Sequence, residues 1–350
     1  MRVMIVSPYG PPSWGLEVFY KRGIEALGHE VRLVALMHSS DRMKTLRKRL
    51  REKLREACLQ GHLWRWDNDQ RVMREAEIWR PDLIIVIRCE DLAPSIIRRM
   101  GSVTRYGCVN IYPDSPHVVP GIRLLDKLTS ALPEYRTVFT FSKALVPVFF
   151  QMGARDVRWL PFACDPVLQR PVGSMRDYEC NIAYLGCWGP LQEQWLMPMA
   201  EKGLHIYGSG WDRLGRGSPL RECWRPGKGM GHDMPAAIAG AKIVFNIVRA
   251  EHGCAHSMKT FEIPACGGFM ITNRTDEQAC FLEDRKEAVF FDSAQEAMDA
   301  VEYYLRHESE RRLIARQAFK KMAQMTYQAR AAEMFRYLGV PEKNVSAPRQ

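Results

Sequence analysis

Short apolar runs alternate with amphipathic stretches along almost the whole chain, the pattern of parallel α/β layers. Arg2–Ser7 and Glu30–Leu36 read as strands, with a helical stretch over Gly15–Leu27 between them that stops at Gly28. Asp82–Arg88, Gly107–Tyr112 and Thr137–Phe141 read as further apolar strands, and Val157–Phe162 as the last strand of a first domain spanning 1–165. Residues 166–178, with Pro166, Pro171 and Gly173, have the composition of a linker. The alternation then restarts with Cys180–Leu185, His205–Tyr207, Ile243–Ile247, Gly268–Thr272 and Ala288–Phe291, giving a second domain over 179–326. Helical patterning runs from Ala294 to Leu338, and the tail 339–350 is polar and proline-containing, the composition of a mobile end.

At 350 residues the chain suits two cores of ordinary size rather than one. No uncharged apolar run approaches the roughly 18–20 residues of a membrane span, and the N-terminus lacks the apolar stretch of a secretion signal. The 10 cysteines are scattered, with no Cys-x-x-Cys pair. Free thiols in a reducing, cytoplasmic setting are therefore expected. The net charge of +10 is uneven: residues 1–170 carry 27 Lys+Arg against 18 Asp+Glu, whereas 171–350 are nearly balanced. Eight of the basic positions fall between Arg42 and Arg55 (Arg42, Lys44, Arg47, Lys48, Arg49, Arg51, Lys53, Arg55), a helix-compatible stretch. Such a face either is merely solvated or attracts an anionic partner.

The richest chemistry lies in Lys259-Thr260-Phe261-Glu262-Ile263-Pro264-Ala265-Cys266-Gly267-Gly268. With Ser257 as N-cap, the amides of Met258, Lys259 and Thr260 would open a helix and face outward, ready for phosphate oxygens. Lys259 adds a cation, and Glu262, one turn on, can accept hydrogen bonds from sugar hydroxyls. A donor carrying phosphate and ribose is the expected guest. Pro264 cannot donate an amide bond to Thr260, so the helix must kink there or start late.

This string resembles the signature of the CgeB-like (spore-maturation type) glycosyltransferases. Three other segments agree: Val157–Pro166, Ile206-Tyr207-Gly208-Ser209-Gly210-Trp211, and Ala241–Ile247. The resemblance covers most of 135–335 and implies the glycosyltransferase B fold: two Rossmann-like domains facing a cleft, with a C-terminal helix over 327–338 crossing back to the first domain. It also implies that Gly227–Asp233, with Met230, Gly231 and His232, lies against the nucleotide base, where alternating glycines let backbone approach a planar ring. It places Gly15, beside Trp14, near the donor phosphates. Arg249 and Lys259 are the best cations for the diphosphate. Related retaining enzymes carry a second Glu eight residues before Glu262; here that position is Cys254, so either Glu251 or His256 takes over contact with the sugar ring or the pocket suits a different sugar. The arginine that many relatives carry after the Leu185-Gly186 strand end is replaced by Pro190-Leu191-Gln192.

In the first domain, Asn110-Ile111-Tyr112-Pro113-Asp114-Ser115-Pro116-His117 follows a strand, at the end where doubly wound sheets bind ligands. Asp114 can act as base on, or hold, an acceptor hydroxyl, and His117 can donate to a leaving phosphate or shuttle a proton. Asp114 as the cap of a Pro-Asp-Ser-Pro turn is the bland alternative. The His252-x-Cys254-x-His256 spacing is a poor shape for a tetrahedral metal site, and no metal or other cofactor is expected.

The expectation is a nucleotide-sugar glycosyltransferase, metal-independent and, by resemblance, retaining, acting on an anionic acceptor such as a polymer, a nucleic acid or a membrane-surface glycan. The rivals are a nucleotide-sugar epimerase and a non-catalytic coat or binding protein on a degenerate transferase fold.

Overall fold

A computed structural model of the protein describes residues 1–8, 14–36, 60–88, 92–116, 122–249 and 253–341. The basic stretch 42–55, His117, Glu251 and His252 lie outside the described residues. The chain divides into two units, Met1–Pro161 together with the residues from Arg330 onward, and Phe162–Ala329. The stretch read as a linker groups with the second unit. There the Cys164 amide donates to the Met325 carbonyl and the Tyr327 amide to the Cys164 carbonyl.

The first unit holds strands β1 (Arg2–Ser7), β2 (Glu30–Ala35), β3 (Leu83–Ile87), β4 (Cys108–Tyr112), β5 (Val138–Thr140) and β6 (Val157–Trp159). They form one parallel sheet in the order β2-β1-β3-β4-β5-β6. Its helices are α1 (Leu16–Ala26), α2 (Gln60–Trp79), α3 (Pro94–Ser102), α4 (Ile122–Ala131) and α5 (Leu145–Gln151). Every residue of β3 and β4 is buried. That is why β3 reads as an unbroken apolar run and β4 as one interrupted only by Asn110: a parallel sheet is covered on both faces.

The second unit holds β7 (Cys180–Leu185), α6 (Pro190–Leu196), β8 (Leu204–Tyr207), α7 (Leu220–Cys223), α8 (Met234–Ala239), β9 (Ala241–Asn246), α9 (Lys259–Ala265), β10 (Met270–Asn273), α10 (Asp276–Phe281), β11 (Val289–Phe291), α11 (Ala294–Arg306) and α12 (Glu308–Met322). The strands form a parallel sheet in the order β11-β10-β9-β7-β8. Its core centres on Trp211, Ile206, Phe245 and Phe291, with the last two rings stacked at 5.2 Å. Local chemistry sets the helix starts. Thr275 Oγ1 caps α10 by accepting from the Gln278 amide, and Ser293 Oγ caps α11 by accepting from that of Glu296. Each such cap contributes about 1 kcal/mol.

The last helix, α13 (Tyr327–Tyr337), begins in the second unit and ends in the first. In the first unit Phe335 meets His29 edge-on at 5.1 Å, and the Tyr337 hydroxyl donates to Asp156. Met334 and Phe335 are buried. Burying a side chain of that size is worth about 1.5–3 kcal/mol, enough to hold the last turns of α13 to this unit.

Candidate functional site

In the second unit, the segment 253–278 follows β9 and carries most of the residues singled out above. Helix α9 runs over seven residues, with Met258 rather than Ser257 as its N-cap. The expected set of three outward amides is reduced, since the Thr260 amide donates to the Ser257 carbonyl at 3.1 Å. Pro264 sits inside α9 next to its end, where only one bond is lost. The helix stops in a Schellman turn: Gly267 adopts φ 78°, its amide donates to the Pro264 carbonyl, and that of Gly268 to the Ile263 carbonyl. Of the two outcomes foreseen from Pro264, a kink or a late start, the helix starts one residue later than a Ser257 cap would give and ends in a glycine stop just after the proline.

Glu262 is 3% exposed. Its carboxylate is held from two sides. Oε1 accepts from Gln169 Nε2 at 2.8 Å, and Oε2 accepts from Lys259 Nζ one turn back. Lys259 is therefore an ion-paired group and not a mobile cation. Two hydrogen bonds occupy about half of the roughly four lone-pair positions of a carboxylate, which leaves Glu262 able to accept two more. Burial, aided by the Glu262 charge, pushes the neighbouring Cys266 thiol up to about 12.

Thr260 and His256 are fully buried and serve the scaffold. Thr260 Oγ1 accepts from the Ser257 amide and donates to Gln278 Oε1, which also gathers Asn246 Nδ2 and Thr272 Oγ1. This buried polar cluster ties α9 to β9, β10 and α10. His256 takes the Phe162 amide on Nε2 at 3.1 Å, so that nitrogen is unprotonated; Nδ1–H then faces Glu277 Oε2 at 2.7 Å. Its ring meets Phe162, Phe261 and Phe281 edge-on. With both nitrogens engaged and no exposed surface, His256 does not present a group to a ligand. The role expected for it at the sugar ring is replaced by a structural one.

Ser257 Oγ is buried and has no hydrogen-bond partner among the described residues. Arg249 follows β9, close enough for its charge to act on the Tyr184 hydroxyl. Cys254 is exposed. No group of three or more His, Cys, Asp or Glu side chains arranged to hold a metal exists among the described residues.

The loop before α8 holds Met230, Gly231 and His232; Gly231 is buried and His232 exposed. At Gly229 the ring that the missing side chain admits belongs to the protein: a Cβ there would lie 2.3 Å from the ring of Tyr207.

In the first unit, Gly15 is the N-cap of α1, with φ 136° and its carbonyl accepting from the Phe19 amide at 3.0 Å. Below it, buried Glu17 accepts from Ser7 Oγ at the end of β1. Trp14 is 44% exposed. Asp114 pairs with Arg88 Nη1 at 3.0 Å. Arg88 ends β3 in a left-handed conformation, φ 59°, held there by its amide on the Ile111 carbonyl and by Asn110 Nδ2 on its own carbonyl. An arginine held at positive φ costs about 1–2 kcal/mol, and such strain concentrates at working sites. Sequence reading missed both Arg88 and Gln169. A lone arginine closing an all-apolar strand was a usable signal for the first; for Gln169, 93 residues from its partner, there was none.

These placements can be set beside known proteins. Residues 191–336 match the glycosyl transferase-like family model. No curated protein matches the chain. Among solved structures, sucrose-phosphate synthase from Thermosynechococcus elongatus is similar with a TM-score of 0.66 at 13% identity, over 96% of this chain and 98% of that one. Anabaena HepE in complex with UDP-glucose gives 0.65 at 13% identity over 96% and 100%. An alpha-glucosyltransferase in complex with UDP-glucose and DNA containing an abasic site gives 0.62 at 12% identity over 97% and 99%. Residues 191–336 thus match the glycosyl transferase-like family model, and the chain as a whole has the two-Rossmann-domain B fold of the glycosyltransferases it is similar to.

Proposed function

We propose that the protein moves a sugar from a uridine diphosphate donor to an anionic or polymeric acceptor, with retention and without a metal ion, as a CgeB-like member of its family. The observation that carries the donor half is the Glu262 carboxylate, pre-oriented by Gln169 and Lys259 with two lone-pair positions to spare. Two vicinal ribose hydroxyls fit that acceptor capacity. Ser257 Oγ, buried with no hydrogen-bond partner among the described residues, and the amides of Met258 and Lys259 at the start of α9 offer donors to the diphosphate. Arg249 supplies positive charge as the leaving phosphate gains negative charge, the role a divalent ion plays elsewhere. UDP-glucose in similar structures favours uridine as the base. Met230, Gly231 and His232 are the residues we assign to it.

For the acceptor, the excess positive charge of residues 1–170 favours an anion. Asp114 is the group we assign as base on, or anchor for, the acceptor hydroxyl, with His117 as a proton shuttle. Arg88 would hold Asp114 aimed until the acceptor arrives. Metal independence means that turnover survives exhaustive chelation; activity abolished by chelation and restored by Mn²⁺ or Mg²⁺ would overturn that part.

The direct test is calorimetry of nucleoside diphosphates against the whole chain. UDP should bind and raise the melting temperature, with GDP and ADP weaker. A chain that binds no nucleoside diphosphate is not a sugar transferase of this kind, and the non-catalytic reading would stand in its place.

A further inference from the structure

Gln169 lies in the segment after β6, in no regular element, and is 1% exposed. Its amide orientation is fixed by its surroundings. The Asp165 backbone N–H, which can only donate, sits 2.7 Å from Oε1. The NH₂ group must therefore face the other way, where it donates to Glu262 Oε1 at 2.8 Å. The Gln169 amide nitrogen in turn donates to the Asp165 carbonyl at 2.7 Å, and the Val167 amide reaches Asp165 Oδ1 at 3.4 Å. Closing this local turn requires only an acceptor at the end of the side chain, which a glutamate would supply equally well. What requires an amide is the second contact: only a side chain that accepts on one side and donates on the other can close the turn and hold a carboxylate.

The same segment is tied to the region of α9 at a second point, through the Phe162 amide on His256 Nε2, with Glu277 fixing the ring's tautomer. Two buried contacts, at residues 162 and 169, thus set the position of the segment against the residues that lead into Glu262. Lys259 alone would leave Glu262 free to swing with a flexible lysine. A buried amide anchored to backbone fixes one carboxylate oxygen and leaves the remaining lone pairs in a defined direction.

We propose that Gln169 is a positioning residue for the nucleotide donor: it sets the orientation of the Glu262 carboxylate that receives the ribose hydroxyls. This rests on the donor reading given above. Gln169 itself touches no substrate and acts through Glu262. The titratable and charged groups around the pair are Lys259 on α9, Asp165 in the turn, and the buried thiols of Cys164 and Cys266.

The experiment is UDP binding by calorimetry to the full chain, wild type and variants, with each variant compared with wild type at the same pH. Q169E preserves size and the acceptor for the Asp165 amide but sets a carboxylate against that of Glu262. At pH 8 its affinity should fall about 10-fold or more, as facing carboxylates repel. At pH 5 the introduced carboxyl takes up a proton, because a carboxylate beside another carboxylate has a raised pKa. It can then donate to Glu262 Oε1, and affinity should return to within about 3-fold of wild type, the recovery expected of a restored donor. Q169L, which has no donor and no charge to titrate, should be weak at both pH values, and it covers the case in which Q169E does not fold at pH 8. A purely structural role would lower melting temperature in both variants without a pH-dependent recovery of affinity. If Glu262→Ala loses affinity while Q169L binds as wild type does, the positioning role is wrong and the donor reading survives. If wild type binds no UDP, or Glu262→Ala binds it undiminished, both fall together.

Discussion

Replacing Glu262 by alanine separates a ligand-binding carboxylate from a structural one, because the two roles predict different magnitudes in different assays. The side chain is 3% exposed and accepts from Gln169 and Lys259. On the structural side, truncation leaves the Gln169 NH₂ buried without its acceptor, which costs about 1–3 kcal/mol. Lys259 retains 18% side-chain exposure and can turn to solvent, so its loss adds little. At about 2–4 °C per kcal/mol for a unit of this size, the melting temperature should fall by several degrees while the fold persists. On the ligand side, each ribose hydroxyl bonded to a carboxylate is worth about 1.5–3 kcal/mol. Loss of one such bond raises the Kd for UDP about 10- to 150-fold, and loss of two raises it further. Calorimetry at a temperature well below the mutant's melting transition reads the second effect free of the first. A lowered melting temperature with an unchanged Kd would show that Glu262 serves only the fold, and the donor site would have to be sought elsewhere.

Gly229→Ala should destabilise the second unit by about 2–4 kcal/mol, since the new Cβ meets the Tyr207 ring and the backbone is left-handed at φ 71°. A melting temperature within a degree of wild type would mean that the loop shifts freely. Arg88→Gly should hold or slightly raise stability. It relieves about 1–2 kcal/mol of left-handed strain, against roughly 0.5–1 kcal/mol of glycine entropy and a half-exposed ion pair with Asp114 worth at most about 1 kcal/mol. A drop of many degrees in thermal denaturation would show that the pair matters more to folding than its exposure allows. Among the described cysteines, exposed Cys187, Cys254 and Cys280 should react with a thiol reagent at pH 8, as mapped by peptide mass spectrometry. Cys180 and Cys266, both pushed up to about 12 chiefly by burial, should stay unmodified in the folded protein. Rapid labelling of Cys266 would show that α9 opens.

Much of the architecture was legible because a parallel sheet leaves an unmistakable trace. Strands such as Leu83–Ile87 are buried on both faces and so read as continuous apolar runs, and Cys108–Tyr112 does so but for Asn110. The glycine stop after Ala265 was legible for a similar reason, since Gly267 occupies a backbone region that other residues enter only at a cost. The sequence by itself therefore determined the strand order in time, the two Rossmann-like repeats, and Glu262 as an acid at the start of a helix. Tertiary structure decided which polar groups are spent and which are kept. His256 and Thr260 look like ligands in one dimension. In three dimensions their polar atoms are consumed by Phe162, Glu277, Ser257 and Gln278. Lys259 looks like a free cation and is paired; Gln169 looks like nothing and holds the central carboxylate. The physical reason is the same in each case: a hydrogen bond between residues far apart in the chain depends on the distance and direction that folding sets, and neither is written in the local pattern of residue types.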